Sequence, residues 1–259
     1  MAIADDLVSY YKLDEASGDA DDAEGTNDGS VTGATYGATG KLNDCYSFDG
    51  SGDYVSIPYT ADLDSISAFT FTAWVKLTDW DDNSSGVIVA KSNSAGNNDY
   101  LFYKRSSNVL RILADNLTPS FIDWDVSSFV NANWYHVAAT YDGSELILYV
   151  NGSSVVSDDV TGTITDNEEN TGIGARVNAT PDLYFDGLID EVGMWSRALT
   201  STEISSLYNS GSGLAYPFTA GEINPKIKAA GSFSTKPIKY KTGGAFAAKV
   251  TKVKVSGSF

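Results

Sequence analysis

The stretch from Trp134 to Gly152, Trp-Tyr-His-Val-Ala-Ala-Thr-Tyr-Asp-Gly-Ser-Glu-Leu-Ile-Leu-Tyr-Val-Asn-Gly, commits the chain to antiparallel sheet. Tyr135, Val137, Ala139 and Tyr141 alternate with Trp134, His136, Ala138 and Thr140, and in a strand successive side chains point to opposite faces. Asp142-Gly143 supplies a turn, because both residues accept the positive φ of a tight hairpin. Leu146, Leu148 and Val150 give the returning strand an apolar face, and Asn151-Gly152 turns the chain once more into Ser153 to Ser157. Three consecutive antiparallel strands follow.

The same grammar recurs elsewhere. Leu7 to Leu13 reads as a strand, Phe69, Phe71 and Ala73 alternate with Thr70, Thr72 and Trp74, and Gly86 to Lys91 and Val109 to Ala114 are further short strands between turn residues. The spacing predicts an all-β fold, a two-sheet antiparallel sandwich. Thr200-Ser-Thr-Glu203 is a capping box ahead of Ile204, Leu207 and Tyr208, with Gly211 as a stop, which predicts one short helix near Thr200 to Asn209. At 259 residues the chain has room for one large β domain and an extension.

Several motifs fall in a familiar order: Tyr11-Lys-Leu-Asp-Glu-Ala-Ser-Gly18, Asp21-Asp-Ala-Glu-Gly-Thr-Asn-Asp-Gly29, Gly40-Lys-Leu, Tyr46-Ser-Phe-Asp-Gly-Ser-Gly-Asp-Tyr-Val55 and Phe69-Thr-Phe-Thr-Ala-Trp-Val-Lys76. Trp134 to Gly143, Leu148-Tyr-Val-Asn-Gly152, Asp186-Gly-Leu-Ile-Asp-Glu-Val-Gly-Met-Trp195 and Arg197 to Ile204 complete the series. Over residues 7 to 211 the chain resembles the laminin-G-like (concanavalin A-like lectin/glucanase) superfamily. The resemblance implies a jelly-roll sandwich. Trp80 to Phe129 departs most from the pattern and is where ligand loops are free to diverge.

Charge is divided unevenly. Residues 1 to 219 carry 9 Lys+Arg against 33 Asp+Glu, a net of −24, whereas residues 220 to 259 carry 8 Lys and only Glu222, a net of +7. So negative a body repels phosphate and excludes nucleic acid as its ligand. The domain division expected is a jelly roll over 1 to 217 and a basic tail over 218 to 259, with a linker at 215 to 225. From Gly231 a 13-residue repeat places Lys236, Lys239 and Lys241 in register with Lys249, Lys252 and Lys254, alternating with Val, Ile and Tyr as strands with one basic face. A unit this short needs copies of itself, another subunit or a larger assembly to pair with. It resembles small repeats at the ends of tailed-phage structural and tail-fibre proteins, which implies an oligomeric assembly whose partners are other virion proteins.

No apolar run approaches the roughly 20 residues that span a bilayer, so no membrane insertion is expected. The N-terminus has no basic n-region or h-region; taken as the natural start, it implies synthesis in the cytoplasm without a cleaved signal, and a trimmed chain would look the same. With one cysteine, Cys45, and one histidine, His136, an intramolecular disulfide and a zinc site of several Cys and His ligands are both excluded.

Glycoside hydrolysis needs two carboxylates facing one cleft. Asp190 and Glu191 are adjacent, so in a regular strand they point to opposite faces and cannot form that pair. Asp123 and Asp125 share a face, but no third acidic residue follows them on the strand. His136 has no Ser or Cys nucleophile motif beside it and reads as a packed strand residue; Cys45, between Asp44 and Tyr46, reads as a small buried hydrophobe.

The Asp21 to Asp28 loop offers carboxylate, amide and carbonyl oxygens of the kind calcium takes, and the resemblance implies a structural calcium held by that loop and the Asp of Ile-Asp-Glu. Carried over, the ligands are Asp22, Asn27 and Asp190, with Asp49 and Asp53 as second choices; the alternative is that these acids only cap turns. Trp80 and Trp124 lie among acids in the divergent middle, as a ring that stacks on a sugar does, and Tyr100, Tyr103, Arg105 and Arg111 are placed to join them. The alternative is that the rings cover sandwich edges. Three functions stay open: a non-catalytic module for cell-surface glycans on a virion appendage or other extracellular assembly, a capsid or fibre decoration that binds no sugar, and a polysaccharide-cleaving enzyme.

Overall fold

The structure is a computed structural model that describes residues 2–61, 67–93, 97–106, 108–164 and 168–218. The chain divides into two units, Met1–Pro225 and Lys226–Phe259, and the second, with the whole 13-residue repeat, lies outside the described residues.

In chain order the strands are β1 (Leu7–Tyr11), β2 (Ser30–Thr32), β3 (Thr35–Thr39), β4 (Asp44–Asp49), β5 (Tyr54–Ile57) and β6 (Phe69–Leu77). Then come β7 (Gly86–Ser92), β8 (Asn98–Arg105), β9 (Val109–Leu113), β10 (Leu117–Thr118), β11 (Phe121–Asp125) and β12 (Tyr135–Tyr141). The series ends with β13 (Glu145–Val150), β14 (Ser153–Asp159), β15 (Thr161–Gly162), β16 (Thr171–Ile173), β17 (Asp186–Trp195) and the helix α1 (Ser201–Tyr208). One sheet runs β14-β13-β12-β6-β17-β4-β3 with β1 also on β17; the other runs β11-β9-β8-β7-β16-β5-β2; β10 and β15 form a small ribbon. The fold is the expected all-β antiparallel sandwich, and the expected meander is β12, β13 and β14.

Parity explains the core. Phe69, Phe71, Ala73 and Val75 of β6, Val137 and Ala139 of β12, and Leu146 and Leu148 of β13 point between the sheets, where they meet Ile88, Tyr100, Phe102, Leu110 and Ile112 of the second sheet. Each such buried large side chain contributes roughly 1.5–3 kcal/mol through area removed from water. At the Asn151-Gly152 turn both residues have positive φ, 48° and 77°. Gly152 is also needed for space, because a Cβ there would come within 2.9 Å of the Tyr208 ring.

The outward face of the first sheet is covered rather than solvated. Ile3, Leu7, Tyr10, Trp195, Leu199, Ile204, Leu207 and Leu214 make a second cluster there. The expected capping box is present: Thr200 Oγ1 accepts from the Glu203 amide, and the Glu203 carboxylate accepts from the Thr200 amide. The helix ends on Asn209 in the left-handed region, two residues before Gly211. Residues read as the start of a linker pack on this face instead, Tyr216 stacking on Tyr10 at 4.9 Å and Phe218 on Trp195 at 6.3 Å. The first strand stops at Tyr11 rather than Leu13, which takes a φ of 59°.

Candidate functional site

The six residues expected to hold a ligand do not share one surface. Trp80 is fully buried, packed edge-on against Phe129 and Tyr135, so its face is closed to any ligand. The acids around it explain this: Asp79 accepts from the Asp81 amide and Asn131, and Asp82 receives Lys104, a buried lysine that also donates to the Asp82 and Ser84 carbonyls. The loop is thus pulled inward by a desolvated ammonium with all three donors satisfied. Tyr100 is in the core, its hydroxyl bonded to Thr171.

Tyr103, Arg111 and Asp123 form a transverse row on the outward face of β8, β9 and β11. Arg111 is committed within that row, donating to both Asp123 oxygens at 2.5 and 2.7 Å and lying 3.7 Å above the Phe121 ring. A second such fork, Arg176 on Asp182, closes a small hairpin whose Leu183 packs against the cluster of Val87, Ala90, Leu101 and Tyr103. Trp124, 36% exposed, is the register partner of core residue Leu110 and so sits on the other face of β11; Arg105 is exposed at the end of β8. Trp134 is half-buried, while Trp74 is buried under α1, stacked on Tyr208.

Of the five expected calcium ligands, the four aspartates each hold backbone amides. Asp22 accepts three amides, from Tyr10, Glu24 and Asn27, and Asn27 donates to Ser9. Asp53 accepts from the Asp49 amide and Asp49 from that of Ser51. Asp190 Oδ2 accepts from the Lys41 and Leu42 amides, an approach that requires Gly40, where a Cβ would lie 2.7 Å from that oxygen. Among the described residues no three His, Cys, Asp or Glu side chains come together as a metal shell.

Asp190 and Glu191 depart from strand parity. A bulge between Asp190 and Gly193, with Glu191 at a φ of 53°, leaves Ile189 and Val192 in the core and turns both carboxylates to the outward side. Glu191 accepts from Tyr10 at 2.5 Å, and Asp190 Oδ1 has no partner. Burial pushes Asp190 up to about 8 and Glu191 up to about 7; for Asp190 the two amides oppose the rise while Glu191 and Asp14 add to it. Both are sealed from solvent, so the correction to their direction does not make them an acid-base pair. His136 is likewise buried beside Trp74, which lowers its pKa to about 3, and Cys45 is buried, its thiol pushed up to about 12.

A feature that ligand-type reasoning missed lies over the meander. A cleft of about 780 Å3 opens on the outward face of β12, β13 and β14, with Thr140, Ile147 and Tyr149 in its floor. Ser154 and Ser157 of edge strand β14 form one rim, Ala198 to Ser201 at the start of α1 the other, and Asp142 and Glu145 one end. Since Leu146 and Leu148 point into the core, Glu145, Ile147 and Tyr149 must point out; that alternation was visible in the sequence, but the wall 50 residues away was not. Burial pushes Asp142 up, but the amides of Ser144 and Glu145 and the Ser144 hydroxyl outweigh it and hold the acid below its ordinary range. Burial raises the Tyr149 phenol, Thr140 opposing and Glu145 assisting.

The family model Laminin_G_3, described as the Concanavalin A-like lectin/glucanases superfamily, matches residues 49–205. The chain belongs to this family. No curated protein matches it. Among solved structures it is similar to the binding domain of Paraclostridial Mosquitocidal Protein 1, with 17% identity and a TM-score of 0.64 over 81% of this chain and 53% of that one. It is similar also to the Botulinum neurotoxin serotype D ligand-binding domain solved with N-acetylneuraminic acid, at 13% and 0.62 over 81% and 52%. Domain 4 of AbnA, an extracellular arabinanase from Geobacillus stearothermophilus solved with arabinotriose, matches at 20% and 0.56 over 77% and 96%. The chain spans about half the length of the first two, and at these identities the likeness is one of fold.

Proposed function

We propose that this laminin-G-like chain is a non-catalytic glycan-recognition module that binds through the cleft over β12, β13 and β14. The observation that carries this reading is the cleft itself. Its volume suits a few sugar rings, its floor mixes aliphatic and aromatic carbon with a phenol and a hydroxyl, and its ends and rims are hydroxyls and carboxylates. Apolar sugar faces pack on such carbon while sugar hydroxyls donate to carboxylates and exchange hydrogen bonds with Ser and Thr. Support of a second kind comes from the lectin-like family and from fold neighbours whose structures hold N-acetylneuraminic acid and arabinotriose. The wider part of the proposal, display on a virion appendage with residues 218 to 259 as the anchor, rests on the sequence of that tail.

Ser154→Trp tests the site. Ser154 is an exposed rim residue, so an indole there fills the cleft without emptying the core. The wild type gives saturable binding on an array of polysaccharides and oligosaccharides; the variant loses it by at least about tenfold at unchanged melting temperature, a loss of about 1.4 kcal/mol. Equal binding by the variant moves the site elsewhere, and silence of the wild type leaves a decoration role without sugar. Product formation from any polysaccharide refutes the non-catalytic reading.

A further inference from the structure

We propose that the cleft selects saccharides without acidic groups, and that Glu145 with Asp159 rejects the others; the proposal rests on the reading of the cleft as a glycan site. Glu145 of β13 and Asp159 of β14 are register partners, on the same face as the neighbouring pair Ile147 and Ser157, both of which line the cleft. Like charges directly opposed weaken a sheet. The fold gains nothing from this pair, so its use lies in the field it sets up at the cleft's end, where Asp142 adds a third carboxylate.

Among the described residues no free cation offsets that field. No lysine or arginine occurs between Arg111 and Arg176, the span that supplies the floor, the acidic end and the β14 rim. Beside the opposite wall, Arg197, which precedes Ala198, is engaged by Glu203 at 2.8 and 3.0 Å and by the Asp5 and Ala2 carbonyls. Two carboxylates about 6 Å from a ligand anion weaken its binding about tenfold at the dielectric of water and low ionic strength. Neutral hydroxyls donate to the same carboxylates and are favoured by them. The neurotoxin domain of shared fold was solved with the acidic sugar N-acetylneuraminic acid; the arrangement here excludes that class.

The test is an array of matched oligosaccharides that differ only by a terminal N-acetylneuraminic acid, read with the wild type and with the double variant Glu145→Gln, Asp159→Asn. In low-salt buffer the neutral members bind, the sialylated ones bind about tenfold more weakly, and the gap narrows in the double variant and at high salt. Equal or tighter binding of the sialylated members, or a gap unmoved by the double variant, overturns the selectivity and leaves glycan recognition standing. Binding of neither member of any pair overturns the glycan reading itself, and this proposal with it.

Discussion

Asp190→Asn separates a buried neutral acid from a buried ion. The unfolded chain gives up the Asp190 proton at an ordinary carboxylate pKa of 3.8, but in the native state burial raises that value to about 8. Between those values the native state holds a proton that the unfolded chain has lost, so rising pH favours unfolding by about 1.4 kcal/mol per unit for this one group. Its stabilising contribution is complete below pH 4 and gone above pH 8. Asparagine keeps an Oδ1 for the Lys41 and Leu42 amides and sets an uncharged amide where the protonated oxygen was. Parent and variant therefore agree to within about 1 kcal/mol at pH 3.5, and the variant becomes the more stable by about 4 kcal/mol at pH 7. Glu191, raised to about 7, adds a slope of the same sign between pH 4.5 and 7, whereas His136, lowered to about 3, opposes it below pH 6.5; both are common to the two proteins and cancel in the difference. Urea unfolding midpoints at pH 3.5, 5, 6 and 8 in chelator measure it. A variant weaker than the parent at pH 8, or a difference flat with pH, refutes the argument, since it would mean an ionised Asp190 held by a counter-charge. Calcium in place of chelator tests the structural ion separately: a raised midpoint supports it, and an unchanged midpoint rules it out.

Two further substitutions probe the scaffold. Thr200→Ala removes the capping box that starts α1 and lowers stability by about 1 kcal/mol, read as a fall in melting temperature without loss of strand circular dichroism. Trp80→Ala empties a fully buried site and costs about 3–5 kcal/mol in urea, whereas Trp124→Ala, at an exposed edge, changes stability by less than about 1 kcal/mol. Similar costs for the two tryptophans contradict the placement of Trp80 in the core.

The architecture was legible because its signals are local. Alternation over Tyr135 to Val150, the Asn151-Gly152 turn and the Thr200/Glu203 box each depend on residues a few positions apart, and each appears as read. The site was not, because its determinants are distant. Trp80 among the acids of Asp79 to Asn83 reads as a ring for a sugar until Lys104, on another strand, receives Asp82. Parity put Asp190 and Glu191 on opposite faces, and a single left-handed residue, fixed by the neighbouring strands, undoes it. Aromatic residues among acids drew attention to Trp80, Tyr100 and Tyr103, all buried, while the cleft is built from ordinary residues of the meander and a wall beyond β17. Side-chain type proved a weaker guide to it than the unclaimed face of a strand.

The position of β17 has a kinetic consequence. β6 lies between β12 and β17, and β17 alone joins β1 and β4 to the rest of the first sheet. The centre of the sheet thus pairs Phe69–Leu77 with Asp186–Trp195, more than 100 residues apart. On a ribosome adding about 5–20 residues per second, β6 waits roughly 5–20 seconds with one edge open after its own synthesis. Until then the β6 and β12 meander is a half-sheet with a free edge, and the early strands have no partner to join them to it. Closure comes late and from a long range, the regime of slow folding, and the acidic surface around these strands keeps like chains apart during that interval.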